Sequence, residues 1–587
     1  MFCRSQEIFL LPLILIWILF TGCRTDEPPI ENGNGENDAE YQYPAERDTE
    51  FDSGSSIVFP ELSEQLISNL ELLGKIWGFL KYHHPESGKG NYNWDYELFR
   101  ILPAYLQVKN TEERDRVISD WINKYGLIPV CTTCGDTPSD AYIKPDLLWA
   151  ENSNMNQTLK VKIKEIYQNR HQGDHYYIRN NDSANNPEFL HENLYNFYYL
   201  DAGFRFLTLF RYWNMIHYFF PNKYLTDKNW DNILAEYIPL FITANNRLEF
   251  EMATLQLIGE INDTHATFEG GVAIQASRGS YYSPFRVWFI EGKLVVTDYY
   301  NPERMDTSDI KIGDIVTHIN DVTVESIIED WKKYYPASNK AAQLRNMSFD
   351  MLRSTKNTLN ISTSRQAGIS IPLYSRSQLN FYGSFKVNSN VKCYKLMDEN
   401  IGYVTLASIT NADVAAIKSA FVNTKGIIID IRNYPNTSAV FSDSYFISAN
   451  TLFALFTKGN ANNPGEFTFI DGGTVRFTSG LYPGKFAVIV NEITQSHAEF
   501  TAMAFRVGNN TTIIGSTTAG ADGNVSKINL PGGLQTQISG IGVYYPNGTE
   551  TQRVGIVPDI WIEPTIEGVR TGRDEPLEMA IHLINKE

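Results

Sequence analysis

Two stretches of the chain align without a gap: IWGFLKYHHPESGKGNYNWDYELFRILP at 76–103 and YWNMIHYFFPNKYLTDKNWDNILAEYIP at 212–239. Trp77/Trp213, Tyr82/Tyr218, Pro85/Pro221, Trp94/Trp230, Asp95/Asp231 and Pro103/Pro239 all stand 136 positions apart. A duplication of this kind restricts the fold more than composition does, because each copy is one supersecondary unit that has to bury its apolar face against a neighbour. Each copy reads as a helix, a turn that ends on proline, and Asn-Trp-Asp opening a second helix, with the aspartate where the helix dipole favours a carboxylate. His83-His84 and their counterparts Phe219-Phe220 lie in aromatic rows, which makes them packing and turn residues rather than metal ligands.

From about residue 282 the pattern turns to short β-rich runs, and IKIGDIVTHINDVTVESI contains two strands around a tight turn at Asn320-Asp321. After about 393 it changes again. NIGYVTLASI, TKGIIIDIR, GKFAVIVNE and TTIIGSTTAG read as strands, while NADVAAIKSAF and SHAEFTAMAFRV read as helices. Continuous apolar strands separated by helices predict a mostly parallel sheet covered on both faces, with functional groups at the strands' carboxyl ends. The fold class is therefore multidomain α+β. Helical repeats are expected over 56–180 and 181–280, a β domain over 281–385 and an α/β core over 386–587.

The N-terminus carries one Arg, an apolar run from Ile8 to Phe20 and small residues before Cys23, the pattern of an export signal over 1–23. FTGC resembles a lipobox, in which Cys23 would be acylated; the alternative is an ordinary cleaved signal with an incidental cysteine. Residues 24–55 are acidic and rich in Gly, Pro and Asn, and they read as a disordered tether. These features point to the cell envelope, with a lipid anchor in the outer membrane as the only membrane association. The net charge of −18, from 50 Lys+Arg against 68 Asp+Glu, repels phosphate backbones and argues against a nucleic-acid partner. Cys131 and Cys134 form the only close cysteine pair. In an oxidising compartment they read as a local disulfide, with free thiols or metal and redox chemistry as the alternatives.

Ser496 falls where the apolar strand KFAVIV gives way to a helix. With Glu499 it fits the S-x-x-E capping box, which needs no chemistry at all. The segment IVNEITQSHAEFTAMAFR also resembles the nucleophile segment of the C-terminal processing and tricorn-type serine peptidases. Two further stretches share that resemblance, IIIDIRNYPNTS and the closing GIVPDIWIE with GRDEPLEMAI, and so does the β segment before them, which resembles a PDZ domain. The resemblance implies an α/β peptidase core of the crotonase/ClpP-like type, an acyl-enzyme on Ser496 and no metal or cofactor. Peptides or unfolded protein segments would be the substrates.

The processing branch of this family activates its serine with a lysine in a turn that here reads GSTTAGADG. Ala521 holds that position, and Lys527 is displaced from it. The tricorn-like branch takes a histidine from the helical domain in a Ser-His-Ala context, matched here by Thr264-His265-Ala266. The resemblance therefore implies His265 as base with Thr264 in support, and Glu550 as the acidic member, with Asp522 and Asp559 as alternatives. It implies an oxyanion site from the backbone N–H groups of His497 and Asn436, in a turn fixed by Arg432, where Asn436-Thr437 replaces the family's two glycines. A peptide- or ligand-binding protein that retains this scaffold without turnover is the competing reading.

Overall fold

The computed structural model describes residues 43–305, 309–381, 392–436, 445–478 and 480–586. The signal segment with Cys23, most of the tether, and Thr437 lie outside the described residues. Among the described residues no helix is long and apolar enough to cross a membrane.

The helical half is built around α1 (Glu64–His83), α2 (Trp94–Tyr105), α3 (Ala202–Phe219), α4 (Trp230–Thr243) and α5 (Arg247–Gly259). Trp77 Nε1 donates to the Trp94 carbonyl and Trp94 Nε1 to that of Trp77, both at 2.9 Å. Trp213 and Trp230 exchange the same two bonds at 2.9 and 3.1 Å. Each indole N–H thereby finds a buried acceptor while its ring fills the core. The two long helices also meet through equivalent positions. Gly78 faces Asn214, Gly74 faces Phe210, and the Tyr82 and Tyr218 rings lie 5.8 Å apart. Positions separated by 136 residues thus touch one another, the arrangement of a two-fold axis between α1 and α3. A Cβ on Gly78 would sit 1.8 Å from the Asn214 side chain, so glycine is what lets the helices approach this closely.

A β layer follows, with β1 (Phe285–Ile290), β2 (Lys293–Tyr299), β3 (Ile315–Ile319), β4 (Thr358–Thr363) and β5 (Ile369–Pro372) in spatial order β5-β4-β3-β2-β1. Helix α6 (Lys340–Ser348) packs against the edge strand β1.

The last layer is a six-stranded sheet of β6 (Tyr394–Met397), β7 (Ile401–Thr405), β8 (Gly426–Asp430), β11 (Lys485–Val490), β12 (Thr511–Gly515) and β16 (Ile560–Trp561), in that spatial order. It is parallel except for the β6–β7 pair. Side chains alternate between its two faces. Ile427, Ile429, Val488 and Val490 join the core under α7 (Asp413–Phe421) and α8 (His497–Arg506). Ile428, Ala487 and Ile489 join the core under α9 (Glu575–Asn585). A strand buried on both sides needs an unbroken apolar run, which is what IIID and FAVIV supply. A smaller sheet orders β10 (Phe467–Val475), β9 (Thr451–Gly459) and β15 (Val543–Tyr544).

One element crosses between the halves. The hairpin of β13 (Val525–Leu530) and β14 (Leu534–Ser539) places Ile528, Leu530, Leu534 and Ile538 in the helical core. This stretch belongs in sequence to the α/β core, yet it buries its alternate residues in the helical half, so the sequence boundary near 280 does not mark the end of the helical core.

Candidate active site

β11 ends at Val490, and the loop after it is pinned from within. Thr494, fully buried, donates its hydroxyl to the Ile431 carbonyl at the end of β8 and accepts from the Asn491 N–H. Ser496 then takes φ 58° and ψ −125°, a left-handed conformation that costs a non-glycine residue about 1–3 kcal/mol. Its N–H reaches the Ala521 carbonyl at 2.9 Å and Glu499 Oε2 at 3.2 Å. Glu499 is wholly buried and also accepts from the N–H groups of Gly520 (2.8 Å) and Ala521 (3.0 Å) and from the Thr518 hydroxyl. Burial pushes its carboxyl above the usual range against the pull of these bonds. The glutamate of the capping box is therefore a brace between the helix start and the 518–521 turn.

Burial raises the Tyr434 pKa, the neighbouring Ser496 side chain lowers it and the Asp522 carboxyl raises it. Arg345, on α6, donates to the Glu492 carbonyl at 2.7 Å and to Gln495 Oε1 at 2.9 Å, which anchors the β layer to the residue before Ser496.

His265 follows α5 in a loop and is 5% exposed. Its Nδ1 lies 2.8 Å from Ser539 Oγ, and its Nε2 is buried without a hydrogen bond. Burial lowers its pKa, Asp263 raises it and Arg345 lowers it further. Thr264 donates to the Ala519 carbonyl at 2.9 Å and accepts from the Ser338 N–H at 2.8 Å. Since Ala519 N–H binds the Thr494 carbonyl and Ala521 accepts from Ser496, the histidine loop and the nucleophile loop grip the same turn.

The other residues singled out from sequence take the following places. Glu550 Oε1 lies 3.4 Å from the Tyr224 hydroxyl, and Glu550 bridges Tyr544. The Asn436 N–H is donated to the Leu406 carbonyl at 3.0 Å, which takes that donor from an oxyanion in this arrangement. His497 is the first residue of α8. Arg432 is paired with Asp430 and Asp574, which fixes the end of β8. Asp559 accepts from the Ile513 N–H and pairs with Arg506. Ala521 is fully buried, and Lys527 occupies an exposed position of β13. Cys131 and Cys134 are joined by a disulfide.

Three residues were not anticipated. Asp263 accepts from the His265 N–H two residues on at 3.0 Å, the short-range pattern of an Asx turn, so the Asp-x-His spacing was its available signal. Ser539 and Tyr434 reach the site only through tertiary packing, and nothing local in the sequence marks them.

Residues 400–562 match the family described as Peptidase family S41. No curated protein matches the sequence. Among solved structures, mature CPAF complexed with lactacystin is 12% identical with a TM-score of 0.51, over 65% of this chain and 98% of that one. Mature CPAF alone is 13% identical with a TM-score of 0.50, over 65% and 98%. A putative peptidase from Parabacteroides merdae ATCC 43184 is 17% identical with a TM-score of 0.41, over 66% and 98%. At these identities the likeness to CPAF is one of fold.

Proposed function

We propose, from the match of residues 400–562 to peptidase family S41, that the chain is a serine-type peptidase acting on peptides or proteins, with Ser496 its nucleophile and His265 its general base. A serine hydroxyl is a poor nucleophile near neutral pH and needs an adjacent acceptor for its proton. The observation that carries the assignment is the state of the imidazole: Nδ1 is engaged, while Nε2 is buried and unpartnered. Burial keeps the ring neutral, the form in which Nε2 accepts.

In the reaction, Ser496 Oγ bonds the scissile carbonyl carbon as its proton passes to His265 Nε2. The C–N bond then breaks, and Nε2 returns the proton to the leaving amine. Water repeats the sequence on the acyl-enzyme, giving its proton to Nε2 and releasing the acid as the serine is re-protonated. The interaction of the Tyr434 phenol with Ser496 and the engaged Asn436 N–H belong to the resting arrangement. Peptide binding frees both, and the Asn436 and His497 N–H groups then hold the oxyanion.

The helical half is a duplicated unit, supported by its paired tryptophan bonds. The β layer is PDZ-like and takes an extended segment along the edge of β1, supported by the contact of α6 with that strand and by Arg345 reaching the nucleophile loop. The protein works in the cell envelope, tethered by lipid on Cys23; the Cys131–Cys134 disulfide supports an oxidising compartment. A fluorophosphonate probe tests the core assignment. The wild-type chain is labelled, Ser496→Ala is not, and His265→Ala is labelled at least about 100-fold more slowly. Equal labelling of wild type and Ser496→Ala refutes the nucleophile, and labelling of neither favours the binding protein over the hydrolase.

A further inference from the structure

We propose that Asp263, acting through the Ser539 hydroxyl, is the acidic group that orients His265, in the role the sequence resemblance assigns to Glu550. The inference rests on His265 being the base and adds what holds that base in its working tautomer.

Asp263 is wholly buried and surrounded by donors. Its Oδ1 accepts from the His265 N–H at 3.0 Å, the Ser539 hydroxyl at 3.0 Å and Gln552 Nε2 at 3.2 Å, and its Oδ2 accepts from the Ser539 N–H at 2.7 Å. A carboxylate met by four donors acts as an acceptor only, so the Ser539 proton points at Asp263. The Ser539 oxygen is then left to accept, and its partner at 2.8 Å is His265 Nδ1. Nδ1 therefore carries the ring proton and Nε2 the lone pair, the tautomer a general base requires. The chain of bonds sets the direction of every proton in it.

The local charges agree. Asp263 and Arg345 are the charged groups that act on the imidazole, one favouring the imidazolium and one opposing it. Beside them stand the Thr264 hydroxyl on the same loop, Ser338 beside α6, Ser539 on β14 and Gln552, all neutral; the Tyr212 phenol of α3 also feels the Asp263 charge, and Arg553 donates to the Ser338 carbonyl. Glu550 lies instead against Tyr224 and Tyr544. When Nε2 takes the serine proton, Nδ1 and Ser539 keep theirs in place, and the Asp263 charge offsets the new cation without itself being protonated. Ser539 is brought there by the hairpin: Leu534 and Ile538 anchor β14 in the helical core, and Ser539 ends it, fully buried. Asp263 and Ser539 touch no reacting atom; they are positioning residues.

The test uses the full chain with ¹⁵N-labelled histidine together with turnover of an unstructured protein substrate. In the wild type the His265 ring carries its proton on Nδ1. Asp263→Asn places a donor where the acceptor was, turns the Ser539 hydroxyl round and moves the ring proton to Nε2; kcat falls at least about 100-fold and the acid limb of kcat/KM moves to lower pH. Ser539→Ala lowers kcat about 10–100-fold with KM unchanged, and Ser539→Thr restores it. Glu550→Gln keeps wild-type kcat. The relay is overturned if Glu550→Gln loses as much as Ser539→Ala, if Ser539→Ala stays within about two-fold of wild type, or if the Asp263→Asn ring keeps its Nδ1 proton. Should Asp263→Asn not fold, the two Ser539 variants and Glu550→Gln decide. His265→Ala separates the two levels: if it turns over normally the base assignment fails and the relay with it, whereas if it is dead while Ser539→Ala is normal the relay alone fails. If the wild type shows no turnover, the tautomer in the wild type and Asp263→Asn decides.

Discussion

Glu499 offers the sharpest test of whether the helix cap and the nucleophile are one device. Its two oxygens accept from four donors: Thr518 Oγ1 and Gly520 N–H on Oε1, Ser496 N–H and Ala521 N–H on Oε2. Stranding a buried donor costs about 1–3 kcal/mol, so Glu499→Ala, which strands three and leaves the Ser496 N–H only its Ala521 partner, costs about 3–8 kcal/mol after partial rescue by water. That is most of the 5–15 kcal/mol, roughly, by which a folded domain is stable, and Glu499→Ala should not accumulate as folded protein. Glu499→Gln is the informative variant. Its amide oxygen satisfies one pair of donors, its NH₂ group opposes the other, and the loss is about 2–5 kcal/mol. With the oxygen toward Thr518 and Gly520, the group that suffers is Ser496, whose left-handed backbone then lacks one of its two restraints. Urea unfolding followed by tryptophan fluorescence reads the stability, and the rate of fluorophosphonate labelling reads the nucleophile. Both should fall, labelling by at least about 10-fold. A Glu499→Gln chain with wild-type midpoint and labelling rate would refute the reasoning, because it would mean that the four bonds hold neither the turn nor the serine.

Tyr434→Phe removes the hydroxyl that interacts with the Ser496 side chain at rest, and the labelling rate should rise about five-fold, the worth of one neutral hydrogen bond; a slower rate would make Tyr434 a participant in the chemistry. Burial, reinforced by Glu499, holds the Asp522 pKa well above its usual range, and its Oδ2 has no hydrogen-bond partner. The folded chain therefore keeps a proton that the unfolded chain releases near pH 4, and stability falls as pH rises from there toward the folded pKa. Asp522→Asn should raise the melting temperature at pH 7–8 and leave it unchanged at pH 4, which calorimetry at the two pH values checks. Gly78→Ala pushes a methyl into Asn214, whose amide is committed to the Gly74 and Phe210 carbonyls; it should cost about 1–3 kcal/mol in urea unfolding, whereas alanine at the open Gly135 lacks that clash.

Much of this arrangement was legible because it is written locally. The duplicated Trp and Pro positions announced paired helices, the run FAVIV announced a strand buried on both faces, and a serine directly after such a strand announced a loop at its carboxyl end. What was not legible is which groups meet across the chain. Glu550 stood in the right sequence context beside the closing Val-Pro-Asp, yet the carboxylate at the imidazole is Asp263, two residues before it. Ser539 has a neutral side chain at the end of an ordinary hairpin, and only the burial of Leu534 and Ile538 among helices delivers it to His265. Asn436 failed as a free donor for a similar reason: the Leu406 carbonyl that occupies it comes from the end of β7, 30 residues earlier.

The packing of the 518–522 turn bears on why the proposed base is a histidine and not a lysine at 521. Thr264 from the helical half donates to the Ala519 carbonyl, and Asn339 at the start of α6 donates to the Thr518 carbonyl. Arg553 N–H takes the Gly520 carbonyl, and Ser496 takes that of Ala521. Glu499 closes the remaining side. A turn gripped from every direction has room only for small residues. Gly520 has φ +69°, and a Cβ there would lie 2.8 Å from the Arg553 carbonyl oxygen, while Ala521 is fully buried. Lysine at 521 would have to thread four methylenes through this packing, at about 1–3 kcal/mol for the overfilled volume and more for an ammonium withdrawn from water. Ala521→Lys should therefore lower the urea midpoint and leave a His265→Ala chain unlabelled by the fluorophosphonate. If lysine at 521 restored labelling to that chain, the turn would be looser than its hydrogen bonds require, and the dependence of Ser496 on an imidazole from the helical half would lose its structural basis.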